Sequence, residues 1–196
     1  MKPNIFKYAT SELSQDAVIC WMFEWANTED KYLNRFSYDF IKAILDLHRC
    51  AFIDINKLVG IKLKKQYNSI DILLQLTFED NSILPIIIES KTYTQEHCNQ
   101  LKRYYNFVLS ENKHNEKVLA PLGVYYNPGF MYENEINSIE KEGYRVFKTD
   151  KMIKLMKKYI DKIENDIFID YYRYLRSIEV KEEELRNLIK EEVLIN

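Results

Sequence analysis

A chain of 196 residues, 46% hydrophobic and 30% charged, has ordinary globular proportions and is long enough for one substantial core. Its formal net charge of -2 excludes a global positive field that would coat a polyanion, but not a cleft with a local basic wall. Three cysteines with no CxxC pair exclude a disulfide framework and a zinc site, and no apolar run reaches membrane-spanning length.

Ser11 or Ser14 can cap a first helix running to about Asn27, with Asp16 favouring its positive end and Ala17, Cys20, Trp21 and Glu24 on one side. Residues 31–48 repeat apolar side chains at helical spacing through Tyr32, Phe36, Phe40, Ile44 and Leu47. The period then falls to two. A strand over 58–64, a turn at 66–69, a strand over 70–78, a polar turn at 79–82 and a strand over 83–91 read as an antiparallel meander, with Pro85 near the start of the third strand.

A helix follows from about Glu96 to Ser110, then a strand from Val118 to Tyr126 closed by Asn127-Pro128-Gly129. Tyr144 to Phe147 is a short strand at or near the sheet edge. The chain from Asp150 onward is helical, with Asp150 as cap, Met152, Ile153, Met156 and Tyr159 facing inward, and two further helices over about 163–177 and 181–192. The order gives an α/β fold: a mixed sheet of about five strands flanked by helices. Residues 1–150 are expected to form the core, and 151–196 helices packed on it or forming a partner or dimer surface. The opening residues hold no long apolar segment, so no signal peptide and a cytoplasmic location are expected.

The informative chemistry is Asp71, near the start of the second strand, and the Glu89-Ser90-Lys91 run that ends the third. Charged side chains are rare in apolar strands unless paired or metal-bound. Glu89 and Lys91 lie two apart, hence on one face, and a hairpin would bring Asp71 beside Glu89. Hard cations such as Mg2+ or Mn2+ take oxygen ligands, which Asp71, Glu89 and the Ser90 carbonyl can supply. Lys91 could position or polarise an attacking water. By spacing alone the same residues read equally as a charge pair at a strand end. His48, His97 and His114 lack metal spacing, and no glycine-rich phosphate loop or Ser-His-Asp arrangement is present. Lys102 and Arg103, with Lys91 and His97 nearby, form the best local basic patch for phosphates, and Lys62 to Lys65 could form a second wall.

With these residues in place, the chain resembles the PD-(D/E)xK nuclease superfamily, the restriction-endonuclease-like fold, in its small bacterial or phage defence-associated branch. The resemblance covers roughly residues 4–130. It implies Asp71, Glu89 and Lys91 as the catalytic set and Glu12 as an acidic metal ligand from the first helix. It also implies Gln100 and Tyr104 along the nucleic-acid path, beside Lys102 and Arg103. Ile70 stands where the motif's name would place a proline.

The implied function is metal-dependent hydrolysis of phosphodiester bonds in nucleic acid, DNA rather than RNA. The competing readings are a binding protein that keeps the fold but cleaves little, and a partner-binding protein that docks through Phe168 to Tyr174. A homodimer is left open by the sequence.

Overall fold

The computed structural model describes residues 3–91 and 99–195. Among the described residues, six α-helices, three short 3-10 helices and one mixed sheet of five strands, ordered β1-β2-β3-β4-β5, account for the regular structure. Two helices come first, α1 (Glu12–Glu24) and α2 (Lys31–Leu47). Ser11 caps α1 by accepting from Ser14 N, and Asp30 caps α2 by accepting from Tyr32 N and Leu33 N, which satisfies backbone donors that helix starts leave unpaired.

The meander then forms as β1 (Leu58–Tyr67), β2 (Ile70–Phe78) and β3 (Ile83–Ser90), all antiparallel. β1 runs on to Tyr67, past the end read from the sequence, because the turn is only Asn68-Ser69. Both residues have left-handed φ (50° and 68°), as a two-residue hairpin turn with the right twist demands. Tight turns fix register, and the β2–β3 turn sets Ile72 opposite Ile88. One step further along that register places Asp71 against Glu89.

β3 pairs in parallel with β4 (Leu122–Asn127), and β4 with β5 (Tyr144–Lys148), the edge strand. The expected start of β4 at Val118 is too early. Val118 makes only an isolated bridge to Ile83, and the ladder begins at Leu122. Pro85 is tolerated inside this central strand for a related reason. The Ile83 and Lys91 N–H groups both point toward the β4 side, so the missing donor of Pro85 falls there too, and the β4 ladder starts one residue later, opposite Ile86.

The crossovers carry α3 (Gln100–Glu111) and α4 (Glu133–Lys141). α4 was not anticipated, and an α3 start at Glu96 lies outside the described residues. Both crossovers step the same way along the sheet, so a common handedness places both helices on one face. There Leu101, Tyr104, Val108, Ile136 and Ile139 pack on Leu73, Ile87, Tyr125 and Tyr144. On the other face α1, α2, α5 (Thr149–Lys157) and α6 (Asp166–Ile195) pack on Ile72, Leu74, Ile86, Ile88 and Val124.

Several local expectations need correction. Lys148, not Asp150, occupies the cap position of α5, and Asp150 sits in its first turn. The two expected C-terminal helices are one continuous helix, α6. Phe168, Tyr171 and Leu175 turn inward to the core, so the 168–174 segment is not an open docking face. In α1 the buried residues are Gln15, Asp16, Val18, Ile19, Met22 and Phe23, whereas Ala17 and Glu24 are exposed. Among the described residues no helix is long and apolar enough to cross a membrane.

Candidate active site

The sheet brings the start of β2 and the ends of β3 and β4 to one edge, and α1 and α3 close over it from opposite faces. Asp71 is half-buried. Its Oδ2 accepts from the Ser90 backbone N–H at 3.1 Å and its Oδ1 from Gln66 Nε2 at 3.3 Å. Gln66 itself has a left-handed φ of 54°, which aims its amide from the end of β1 at Asp71.

Glu89 is fully buried. Its Oε1 takes the Lys91 ammonium at 2.9 Å and a hydrogen bond from Gln100 Nε2 at 2.9 Å. The second hydrogen of that amide goes to the Tyr104 hydroxyl at 2.8 Å, one helical turn on, so Gln100 and Tyr104 form a bracket behind the carboxylate. Glu89 Oε2 is buried and has no hydrogen-bond partner among the described residues. Lys91 is 8% exposed, and its Nζ also lies 3.7 Å from Glu12 Oε2 at the start of α1.

The structure therefore gathers Glu12, Asp71, Glu89, Ser90, Lys91, Gln100 and Tyr104 at one place. Lys102 and Arg103 are exposed on α3, with the Arg103 guanidinium 5.3 Å from the centre of the Tyr104 ring. His97 lies outside the described residues. His48 is spent elsewhere, its Nε2 donating to the Gly123 carbonyl at 2.9 Å.

Asp16 is the residue that the sequence reading misplaced. It does not stand in the first turn of α1 as a dipole partner but one turn further in, at 0% exposure, with neither carboxylate oxygen at hydrogen-bonding geometry to any described group. Burial, and then the charge of Asp71, push its carboxyl up to about 7, against the pull of the Ser90 hydroxyl and of Lys65. Its signal was present in the sequence. Asp16, Ile19 and Phe23 follow the helical stripe, so the stripe that buries α1 runs straight through a carboxylate.

Glu89 is displaced in the same way. Burial, then the adjacent Asp71 charge, push it to about 8, and the Lys91 ammonium only partly offsets them. Burial pulls Lys91 down, but the bond and charge of Glu89, with the charges of Glu12 and Asp71, more than reverse this and keep it protonated. Four carboxylates thus face two ammonium groups, Lys65 and Lys91. Buried, unpartnered oxygen donors and surplus negative charge are what a hard divalent cation needs, so these residues fit one. Among the described residues no group of three or more His, Cys, Asp or Glu side chains could by itself hold a metal ion. Asp71 and Glu89 would therefore share such an ion with backbone, water or phosphate oxygens, as Mg2+ commonly does.

The raised carboxyls carry a pH signature. Folded Asp16 and Glu89 keep protons that an unfolded chain has already lost above the ordinary carboxylate range. Stability from these groups is therefore complete at acid pH and is lost as pH rises through about 7 to 8. In EDTA the Tm is expected to fall by on the order of 5 °C between pH 6 and pH 8.5, and a divalent cation is expected to restore it at the higher pH. A flat profile in EDTA would contradict the assigned charge state.

A model of the PD-(D/E)XK nuclease superfamily matches residues 3–191. Two solved structures of EndoMS, one in apo form and one of the EndoMS-dsDNA2 complex, match at 19% and 20% identity with TM-scores of 0.30 and 0.29. The matches cover 53% and 52% of this chain and 44% and 42% of those chains, so less than half of either EndoMS chain is spanned. No curated protein matches the chain.

Proposed function

Because the chain belongs to the PD-(D/E)XK nuclease superfamily, we propose that it hydrolyses phosphodiester bonds in nucleic acid, DNA before RNA, with a divalent cation (Mg2+, or Mn2+ in its place). The observation that carries this reading is Glu89. It is wholly buried, with one oxygen pinned by Lys91 and Gln100 and the other left without a partner beside Asp71.

Asp71, Glu89 and the Ser90 carbonyl would hold the cation, with Glu12 and Asp16 adding charge from α1. When bound, it would supply Lewis-acid polarisation of the phosphate and acidification of the attacking water.

The protein's own groups do the rest. Gln100 and Tyr104 fix the Glu89 carboxylate so that its unpartnered oxygen stays directed into the site. Lys91, retained as an ammonium, acts as a charge and hydrogen-bond donor. It orients the water and neutralises charge developing on the phosphoryl oxygens, and does not serve as the general base. Lys102 and Arg103 on the exposed face of α3 would meet flanking phosphates, which position the strand without reading its sequence.

The test is a cleavage screen over single- and double-stranded DNA and RNA with Mg2+, Mn2+ or EDTA, run on the wild type and on Lys91→Met. Cation-dependent DNA cleavage lost in EDTA and reduced by about 10^2-fold or more in Lys91→Met supports the reading. Cleavage that persists in EDTA, or equal rates for both proteins, would sink it.

A further inference from the structure

Ser90 stands between Glu89 and Lys91, where a motif-level reading needs only its backbone. Strand alternation turns its side chain to the opposite face of the sheet, toward α1. There the hydroxyl is fully buried, and Oγ accepts from Gln15 Nε2 at 2.6 Å. Gln15 is 5% exposed, and the same Nε2 lies 3.5 Å from the Lys91 carbonyl, so one amide grips both residues that follow Glu89.

A hydroxyl that has accepted one hydrogen bond still has its own hydrogen to give. The Asp16 carboxylate feels that hydroxyl but is not hydrogen-bonded to it, and both its oxygens are buried without a described partner. A buried amide and hydroxyl each cost free energy unless satisfied, so their pairing between α1 and the end of β3 is an arrangement that the fold maintains.

We infer that Gln15 and Ser90 are positioning residues: Gln15 grips the Ser90 hydroxyl and the Lys91 carbonyl, and the pair locks α1 to the strand that carries Glu89 and Lys91. This rests on the cation-site reading above. It extends that reading by giving the middle residue of Glu89-Ser90-Lys91 a side-chain task. Partners of this kind, one step behind the ligands, typically contribute about 10- to 100-fold to metal affinity.

The experiment is calorimetric titration of Mn2+ into wild type, Ser90→Ala, Gln15→Met and Gln15→Met/Ser90→Ala, with the Tm of each measured in EDTA. Ser90→Ala and Gln15→Met are each expected to weaken Mn2+ binding about tenfold. In the Gln15→Met background, Ser90→Ala is expected to have no further effect, because the amide it acts through is gone. Equal affinity in the wild type and both single variants overturns the inference. So does a tenfold loss from Ser90→Ala in both backgrounds, which would mark a general packing role. If Ser90→Ala fails to fold, Gln15→Met alone decides, by the same comparison with the wild type. A wild type that binds no Mn2+ overturns the cation site and the inference together, whereas normal wild-type binding untouched by the variants overturns the inference alone.

Discussion

Glu89→Gln is expected to lower the rate of DNA cleavage by about 10^3-fold or more while leaving the cation-free protein at least as stable as the wild type at pH 8. The first half follows from removing a charged oxygen donor at the proposed metal, where a loss of about 4 kcal/mol of transition-state stabilisation corresponds to that factor. The second half follows from the state of Glu89 without metal. Its carboxyl is pushed to about 8 by burial and by Asp71, so near neutrality it is largely protonated. A glutamine has nearly the shape of that protonated acid. Its Oε1 can still accept from Lys91 and Gln100, and its amide hydrogens can face Asp71 in place of the unpartnered Oε2. Activity and Tm, measured on the same preparation, should therefore move independently. A large drop in Tm at pH 8 in EDTA would show that the charge of Glu89 holds the fold together, which this account denies. Active sites that accumulate like charge commonly trade stability for function in this way.

Gly123→Ala is expected to be the most destabilising single methyl addition in the core, by about 3 kcal/mol, or about 6 to 12 °C in Tm. A Cβ built on Gly123 falls 2.6 Å from Tyr144 Cγ and within 2.8 Å of two more ring atoms. The ring cannot step aside. Tyr144 is fully buried between β4 and α3, and its hydroxyl donates to the Leu101 carbonyl at 3.1 Å. The Gly123 carbonyl also receives His48 Nε2 from the end of α2, so a shift of the strand would disturb both faces of the sheet. Thermal unfolding checks this directly, and a Tm within about 2 °C of wild type would show that β4 and Tyr144 adapt more easily than a packed interior should.

The β2–β3 hairpin and its chemistry were legible in the sequence because two signals agreed there. Alternation and an apolar run located the strands, and Asp71, Glu89 and Lys91 stood out as charges where charge is expensive. Gln100 and Tyr104 entered through the family resemblance, as residues along the nucleic-acid path, and the structure places Gln100 on Glu89 and Tyr104 on Gln100.

Asp16 was not legible in the same way. At the head of α1 two polar residues, Gln15 and Asp16, continue a buried stripe otherwise made of Ile19, Met22 and Phe23, and they disguise it as the exposed first turn of a helix. Gln15 is held there by Ser90, 75 positions further on, a contact that no local pattern reports. α4 escaped notice because only Ile136 and Ile139 of its nine residues are buried apolar anchors. α6 was read as two helices, about 163–177 and 181–192, both of mixed charge. Charge pattern does not end a helix, however, and no glycine or proline follows Gly143 to do so.

The central claim is that Asp71 and Glu89 hold a divalent cation, and calorimetric titration of Mn2+ into the wild type and into Asp71→Ala/Glu89→Ala, each with a non-cleavable DNA duplex present, tests it most directly. The account predicts saturable binding at millimolar or tighter concentrations in the wild type and none at this site in the double variant. Equal binding by the two proteins, or no binding by a wild type that holds the duplex, would contradict it.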